Sequence, residues 1–404
     1  MSKLAFLLSF LLVLGTATSR SQGTGAPHDW PRATPQSVGL DPASLEALSL
    51  DFENGKYPDV DSMLIIRCGK NVYERHYSHD YGKIYYQEAH ERGPLNARLT
   101  GIYNYFDPRY HPYYEGSDAH TMQSVTKTIT SVLIGIAMYR GEFHATLNTP
   151  VISFFDATKI KNLDDRKRRM TIRDLLTMQS GLDWDEDLPY NNPHNGSSAM
   201  EASDDWIKFV IDRPMAHEPG TFFAYSSGVA ELFSYIFEKA TGQDIEVYAT
   251  KHLFQPLGFQ HQFWKRTPLG VVDTEGGLYL RPEDLAKVGL LYLQGGVWQG
   301  HRMLSEDWVK QSTTPTSNGR RGLKYGYLWW LVPHGKSGQN LAWAALGLGG
   351  QRLLVVPEDQ LILVFTAWDI LETAPLNSSE MIDRVTAGIR PVSCSTSSAR
   401  KRNH

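Results

Sequence analysis

A serine and a lysine stand three residues apart at the start of an apolar stretch. The segment from His120 to Gly141 reads HTMQSVTKTITSVLIGIAMYRG and contains Ser124 and Lys127. Residues three apart share one face of a helix, so the Lys127 amine can reach back to the Ser124 hydroxyl. A serine becomes an effective nucleophile when a neighbouring base takes its proton, and a neutral lysine is such a base. The same spacing also fits Ser124 as a helix N-cap and Lys127 as a solvated first-turn residue.

The surroundings of this pair separate it from a second Ser-x-x-Lys match at 398–401, which lies in a polar tail. Apolar residues recur at helical spacing after Ser124, and Gly141 is a natural helix stop. A helix start offers free N–H groups and a partial positive charge, both of which stabilise a developing oxyanion. Because burial disfavours an ammonium, we expect a lowered pKa for Lys127.

The order of the predicted elements indicates an α/β (α+β) fold with two parts. A helix capped by Asp41 and a hairpin around Gly69 come first, and a long helical middle follows. Three β-rich runs between 325 and 367 and a closing helix complete the chain. Strands from both ends can pair in one sheet, which leaves the middle as a helical subdomain. The cleft between the two is the expected place for a ligand site.

Composition and the N-terminus predict an exported protein. The net charge of −4 gives no basic field, so nucleic acid is not an expected partner. Lys3, the apolar run LAFLLSFLLVLG and small residues near Ala17 and Ser19 are typical of a cleaved signal peptide. The run is too short for a convincing membrane span, and an uncleaved anchor is the alternative. We expect a secreted or periplasmic protein with no stable membrane span after cleavage.

These features divide the chain into a signal peptide at 1–19, a lead-in at 20–40, one domain at 41–390 and a disordered tail at 391–404. Within the domain we expect a sheet subdomain at about 41–77 and 270–390, and a helical subdomain at about 120–270. The stretch from Tyr77 to Tyr114 contains nine tyrosines. It either forms the rim of a pocket or packs its own aromatic side chains.

Two cysteines, Cys68 and Cys394, cannot build a disulfide framework or a four-ligand zinc site. Export would permit them to pair, and two free thiols are the alternative. No ligand spacing such as His-Glu-x-x-His occurs, so no metal is expected.

Six segments resemble, in order, the serine β-lactamase and penicillin-binding-protein superfamily. The resemblance is greatest to its class C-like esterase and 6-aminohexanoate-oligomer (nylon-oligomer) hydrolase branch. The segments are QSVTK, TIRDLLTMQSGLDW, PGTFFAYSSG with EKATGQ, GGLYLRPEDLAKVGLLYL, YGYLWW and GLGGQRLLVVPEDQLILVFTAWD. The resemblance implies a DD-peptidase/β-lactamase-like fold, in which N- and C-terminal helices flank an antiparallel sheet beside a mostly helical subdomain. It implies neither a metal nor an organic cofactor.

The resemblance also implies catalytic roles. Tyr225 stands where the family has the tyrosine of a Tyr-x-Asn motif, which faces the nucleophile. A lysine ammonium stabilises a phenolate, so Lys127 and Tyr225 can share one proton and pass it from Ser124 to the leaving group. Which of the two is the base stays open. The backbone N–H groups of Ser124 and Leu348 would form the oxyanion hole.

Two departures from the family pattern concern the substrate. The asparagine of Tyr-x-Asn is Ser227, and the Lys-Thr-Gly or His-Thr-Gly motif is Ala345-Leu346-Gly347. The missing cation helps to hold a substrate carboxylate in the family, and losing a charge-assisted hydrogen bond costs about 1.5–3 kcal/mol. The predicted substrate-binding residues are Ser227, Gly347, Gly349, Trp184 and Tyr190.

The sequence therefore predicts an exported serine hydrolase that cleaves a small ester, an amide or a short peptide through an acyl-enzyme on Ser124. A β-lactamase or a D-alanyl-D-alanine carboxypeptidase or other peptidoglycan peptidase is the alternative within the family. A non-catalytic, penicillin-binding-type sensor is a further alternative, against which the intact set of Ser124, Lys127 and Tyr225 argues.

Overall fold

The computed structural model describes residues 30–98 and 101–394. The predicted signal peptide at 1–19, the first half of the lead-in and residues 395–404 of the predicted tail lie outside these ranges.

Thirteen strands are assigned within the described residues. They are β1 (Val60–Arg67), β2 (Lys70–His76), β3 (His120–Thr121), β4 (Gln262–Trp264), β5 (Leu278–Leu280), β6 (Val297–Trp298), β7 (His301–Arg302), β8 (Ser317–Asn318), β9 (Lys324–Tyr325), β10 (Trp330–His334), β11 (Asn340–Leu346), β12 (Arg352–Val356) and β13 (Leu361–Ala367).

The α-helices of the same ranges are α1 (Pro42–Glu53), α2 (Tyr81–Ile84), α3 (Tyr86–His90), α4 (Val125–Tyr139), α5 (Asp165–Arg169), α6 (Ile172–Leu176), α7 (Gly196–Glu201), α8 (Trp206–Ile211), α9 (Ser227–Thr241), α10 (Ile245–Ala249), α11 (Gln255–Leu257), α12 (Pro282–Leu293), α13 (Glu306–Ser312) and α14 (Ser378–Thr386). None of the helices in the described part of the chain is long and apolar enough to cross a membrane.

One antiparallel sheet joins the two ends of the chain, as the sequence predicts. Its order is β2-β1-β13-β12-β11-β10-β9-β8, and in the central pair Met63 of β1 lies opposite Phe365 of β13. Both strands are buried along their whole length. Helix α12 packs across β1, β12 and β13, while α1 packs on α14 and α14 packs on β10 and β12. The predicted α/β fold, with terminal helices flanking an antiparallel sheet, is therefore confirmed.

The second of the three predicted β-rich runs is a hairpin of two strands. Strands β11 and β12 pair directly, with Leu346 opposite Arg352, and the chain turns between them. Gly349 and Gly350 adopt φ values of 80° and 110° in this turn, a region that favours glycine because it has no Cβ. The turn brings the end of β11 beside the segment that precedes α4.

Helix α4 runs through the middle of the molecule. Its residues from Val125 to Ala137 are all buried, and it contacts α9, α10 and β11. The helix is therefore packed on every side, and its first two turns bury polar side chains as well as apolar ones. Gly141, with a φ of 70°, lies just beyond its end. This position fixes Ser124, at the start of α4, between the sheet and the helical part.

Two open questions from the sequence are answered. Cys68 and Cys394 form a disulfide bond, which fastens the last described residue to the turn between β1 and β2. The aromatic stretch packs its own side chains: Tyr81, Tyr85 and Tyr105 form a small separate core, which also includes Leu95, Phe106, Trp368 and Ile370.

Candidate active site

Ser124 and Lys127 interact directly. The Lys127 Nζ donates a hydrogen bond of 2.7 Å to the Ser124 Oγ. Ser124 occupies the N-cap position of α4, but its side chain makes no capping hydrogen bond. Lys127 is only 1% exposed. The structure therefore excludes the alternative interpretation, in which the Ser124 side chain caps the helix and Lys127 is solvated.

The backbone before the nucleophile is strained. Gln123 has a φ of 47°, in the left-handed region that residues other than glycine rarely adopt. Its side chain donates to Thr121 Oγ1 at 3.0 Å, which helps to hold this conformation. Such strain costs about 1–3 kcal/mol and tends to cluster at functional sites.

Lys127 has three acceptors for its three ammonium protons. Besides Ser124 Oγ, its Nζ donates to the main-chain oxygen of Glu275 at 2.7 Å and to Glu275 Oε2 at 3.3 Å. Burial by itself would lower the pKa of Lys127, but the negative charges of Tyr225, Glu275 and Glu186 outweigh it and raise that pKa above its usual value. The expectation of a lowered pKa is therefore wrong, because it considered burial without the acidic partners.

Tyr225 lies beside this pair. The Lys127 Nζ is 5.3 Å from the centroid of the Tyr225 ring, and the guanidinium carbon of Arg320 is 4.8 Å from it. Trp330 stacks on the same ring with a centroid separation of 5.3 Å. The structure thus brings the three predicted catalytic residues together and adds a second cation beside the Tyr225 ring.

Two backbone N–H groups are available where the sequence predicts an oxyanion hole. Within the described ranges, neither the N–H of Ser124 nor that of Leu348 donates a hydrogen bond to a protein acceptor. Both residues line the same cavity. A Cβ on Gly347 would lie 2.5 Å from the main-chain oxygen of Met122. Glycine at 347 therefore lets the end of β11 approach the segment before Ser124 closely.

The cavity has a volume of about 130 Å³. Its wall is partly apolar and partly cationic. It is lined by Ser124, Tyr190, Tyr225, Arg320, Arg321, Leu323, Trp330, Leu346, Gly347, Leu348, Arg352 and Glu372.

Three of the predicted substrate-binding residues are not among the residues that line this cavity. They are Ser227, Trp184 and Gly349. Ser227, 1% exposed, donates its N–H and its hydroxyl to the Glu186 carboxylate at 2.6 and 2.7 Å. Trp184 is a core residue whose indole would collide with a Cβ on Gly228. The main-chain oxygen of Gly349 accepts a hydrogen bond from the N–H of Asp369, which follows β13. A role in substrate binding stays a prediction for these three residues, since sequence position near a motif does not reveal which way the side chains of Ser227 and Trp184 face.

Glu186 is a functional residue that the sequence interpretation missed. Its buried carboxylate accepts four hydrogen bonds, two from Ser227, one from Trp184 Nε1 at 2.8 Å and one from the Tyr190 hydroxyl at 2.8 Å. It therefore fixes the start of α9, directly after Tyr225, to a wall residue of the cavity. The acidic run DWDED gave a weak signal, but nothing in it distinguishes Glu186 from its exposed neighbours.

Arg320 and Glu275 were missed as well. Arg320 lies between β8 and β9 and donates to the main-chain oxygen of Glu186 at 3.1 Å and to Asp187 Oδ1 at 2.7 Å. The pair of arginines between glycines in NGRRG was the available signal, and Glu275 directly precedes the GGLYL segment. Both residues are far from Ser124 in sequence, so the sequence alone did not indicate that they lie near it.

The arrangement suits nucleophilic attack on a carbonyl carbon. It offers a hydroxyl, a phenol beside two cations and two N–H groups without a protein acceptor, on residues that line one cavity. Within the described residues, no group of three or more His, Cys, Asp or Glu side chains is placed to hold a metal ion.

Comparison with known proteins agrees with this geometry. Residues 61–368 match the model of the Beta-lactamase family. The 6-aminohexanoate-dimer hydrolase of Paenarthrobacter ureafaciens is 24% identical over 284 residues, which are 64% of this chain and 69% of that protein. Monacolin J acid methylbutanoyltransferase of Aspergillus terreus is 25% identical over 177 residues, 41% of this chain and 40% of that protein.

A solved structure of a D-stereospecific amidohydrolase from Streptomyces sp. superposes with a TM-score of 0.60 at 16% identity, covering 87% of this chain and 100% of that one. The structural similarity shows the fold alone, whereas the match to the family model extends over most of the chain. The chain therefore belongs to the Beta-lactamase family and is a serine hydrolase of that family.

Proposed function

We propose that this protein is an exported hydrolase that cleaves a small ester or amide through an acyl-enzyme on Ser124. One observation carries the proposal: the buried Lys127 Nζ bonds to Ser124 Oγ at 2.7 Å and lies 5.3 Å from the ring centroid of Tyr225. A serine that only stabilised a helix would not need a buried lysine and a phenol at its hydroxyl.

In the proposed reaction, Ser124 Oγ attacks the carbonyl carbon while its proton passes to the Tyr225 oxygen. Tyr225 is favoured as the acceptor because the three protons of an ammonium at Lys127 already have acceptors in Ser124 and Glu275. The N–H groups of Ser124 and Leu348 bind the oxyanion. Tyr225 then gives the proton to the leaving alcohol or amine, and water releases the acyl group by the same steps in reverse order.

The mixed lining of the cavity bears on the substrate. Leu323, Trp330 and Leu346 offer an apolar wall for an acyl chain, beside the cationic Arg320 and Arg321. The 6-aminohexanoate-dimer hydrolase, by its name, acts on a linear amide, which is one of the substrate types proposed here. A small ester, a linear amide or a short peptide therefore fits this site.

A β-lactamase or a D-alanyl-D-alanine carboxypeptidase is a second candidate that one observation favours. Ala345 lacks the cation of the family motif, but Arg320 and Arg321 both line the cavity, and Arg321 has no ion-pair partner among the described residues. A guanidinium there can bind a substrate carboxylate by charge-assisted hydrogen bonds. Substrates of this second class would need that contact, and simple esters would not.

Export is part of the proposal, and the disulfide between Cys68 and Cys394 supports it because such bonds persist in oxidising compartments. Expression of the full chain, followed by N-terminal sequencing of the secreted or periplasmic product, tests it. A first residue between 18 and 20 is expected. Retention of the intact N-terminus in the membrane fraction would contradict cleavage.

The function is tested by labelling the folded protein with a fluorophosphonate and measuring its intact mass. Wild type should gain one adduct, and Ser124→Ala should gain none. Ser131→Ala is the matched control, since this buried serine of the same helix has no hydrogen-bond partner in the described structure. A panel of p-nitrophenyl esters, linear amides, D-alanyl peptides and nitrocefin then identifies the substrate class. Absence of labelling in the folded wild type would instead indicate a non-catalytic sensor.

A further inference from the structure

A cluster of buried acidic groups lies directly behind Lys127, outside the cavity. Glu231, Asp273 and Glu275 are 0%, 0% and 4% exposed, and the half-buried Glu201 lies beside them. The only other cation among the described residues of this cluster is Lys265, 2% exposed. No step of the proposed reaction uses these groups, so their presence needs another explanation.

Glu275 links this cluster to the active site. On one side its main-chain oxygen and its Oε2 accept hydrogen bonds from Lys127 Nζ at 2.7 and 3.3 Å. On the other side the carboxyl group of Glu275 faces that of Glu201, and this contact is one of the causes that raise the pKa of Glu201, after burial. Two carboxyl groups can share a hydrogen bond only when one of them carries a proton.

The remaining contacts indicate which carboxyl groups of the cluster carry a proton. Lys265 Nζ lies 3.0 Å from Asp273 Oδ2 and donates to the Tyr105 hydroxyl at 3.0 Å, and that hydroxyl donates to Glu201 Oε1 at 2.9 Å. Asp273 also accepts from the N–H groups of Glu275 and Gly276 at 3.1 and 2.8 Å. Burial raises the pKa of Asp273, whereas Lys265 and the N–H of Gly276 act in the opposite direction, so these contacts stabilise Asp273 as a carboxylate with Lys265 as its counter-ion.

Glu231 lacks such a counter-ion. Its Oε2 accepts from the N–H of Thr274 at 2.8 Å, while its Oε1 has no partner in the described structure. Burial raises the pKa of Glu231 and of Glu201 well above the usual value for glutamate. Four carboxyl groups thus face two ammonium groups, and a buried site tolerates that imbalance only if two of the acids are neutral.

We propose that Glu275 is a positioning residue that holds Lys127 as an ammonium through its carboxylate, with the shared proton on Glu201, and so sets the pH range in which Ser124 can be acylated. This inference rests on the proposed function. It goes beyond that function by assigning the charge state of Lys127 to a residue that touches neither substrate nor nucleophile.

The other charged groups that face Lys127 act in known directions. Tyr225 and Glu186 also favour the ammonium. Arg320 lies over the Tyr225 ring and adds a second positive charge to this part of the site. Glu275 contacts the Lys127 Nζ directly through its carboxylate and stabilises the ammonium.

The test is the pH dependence of the rate at which a fluorophosphonate acylates Ser124, which requires no natural substrate. Glu275→Gln keeps an oxygen for Lys127 but removes the charge. The alkaline limb of the profile, where Lys127 loses its proton, should move to lower pH by roughly one to three units, the usual effect of one charge within about 4–6 Å. Glu275→Asp should restore the wild-type limb, with a lower plateau rate because its carboxylate is shorter.

Glu201→Gln is the matched isosteric substitution. Its amide donates to Glu275 as the protonated acid does, so both limbs should stay where they are in wild type. A shift in Glu201→Gln as large as that in Glu275→Gln would overturn the assignment of the proton. A Glu275→Gln variant that loses rate equally at every pH would show a merely structural role and would also overturn the proposal.

A measurement on wild type covers the case in which Glu275→Gln does not fold. Nitrogen-15 NMR of the lysine Nζ groups, assigned with Lys127→Arg, should show a Lys127 ammonium from pH 6 to pH 9. A neutral Lys127 amine in that range would overturn the inference. Failure of the proposed function is distinguishable, because Ser124→Ala would then label as wild type does, whatever the charge of Lys127.

Discussion

The guanidinium carbon of Arg320 lies 4.8 Å from the centroid of the Tyr225 ring. Arg320 reaches the site from the loop between β8 and β9, almost a hundred residues after Tyr225. Its charge is held there by Asp187, whose carboxylate contributes, despite burial of the guanidinium, to the raised pKa of Arg320. The phenol of a predicted catalytic residue therefore has a permanent cation beside it.

Arg320→Gln should lower the rate at which a fluorophosphonate acylates Ser124 by about tenfold, because it removes the positive charge beside the Tyr225 ring. Asp187→Asn, which leaves the guanidinium in the chain but removes its 81% exposed partner, should keep the wild-type rate. An unchanged rate in Arg320→Gln would contradict a role for this cation.

Tyr225→Phe should reduce the rate of acylation by about 10²–10⁴-fold, the range for a positioned proton-transfer group. The ring stacking on Trp330 is retained, so the variant should unfold at the same urea concentration as wild type. Tyr235→Phe, on the exposed side of α9 against Phe155, is the matched control and should label normally. Normal labelling of Tyr225→Phe would leave Lys127 as the base.

Glu186→Gln should destabilise the protein and weaken acylation together. Its Oε1 and Oε2 each accept two hydrogen bonds, so an amide NH₂ at either position would face two donors. We expect a loss of about 1–3 kcal/mol in the free energy of unfolding, as for buried donors left without an acceptor. Urea denaturation measures it, with the exposed Glu218→Gln as control. Unfolding midpoints equal to wild type would show that these four hydrogen bonds contribute no net stability.

Gly347→Ala should lower the acylation rate by about 10²-fold, as for loss of one oxyanion donor. The added methyl group would lie 2.5 Å from the main-chain oxygen of Met122 and 2.9 Å from Gln351 Cβ, so β11 must move away from Ser124. Gly82→Ala is the control, because its methyl group would meet nothing nearer than 3.5 Å. Labelling of Gly347→Ala at the wild-type rate would show that the N–H of Leu348 is not an oxyanion donor.

Replacement of both Cys68 and Cys394 by serine should lower the free energy of unfolding by about 2–4 kcal/mol, since a cross-link restricts the unfolded chain. Denaturation in urea with and without dithiothreitol provides the check. Reductant should bring wild type to the stability of the double variant and leave the variant unchanged. Two thiols titrating in unreduced, unfolded wild type would contradict the disulfide.

Local pattern was sufficient for much of the fold. Asp41 caps α1 and the hairpin turns after Arg67, each as the sequence indicates, because caps and turns depend on neighbouring residues. The placement of Ser124 over Lys127 is of the same kind, since one helical turn fixes it. Local pattern could not predict the hydrogen-bond partners of Ser227 or the packing of the Trp184 indole, because both depend on residues distant in sequence.

The sequence by itself determined the family, the order of the elements and the residues Ser124, Lys127 and Tyr225 as a candidate set, because short-range spacing and motif order carry that information. Only the tertiary structure decided which charges surround them. Glu186, Glu275 and Arg320 reach the site from separate segments, and electrostatic interactions depend on distance in space rather than along the chain. For that reason the direction of the pKa shift at Lys127 was predicted wrongly, while its contact with Ser124 was predicted correctly.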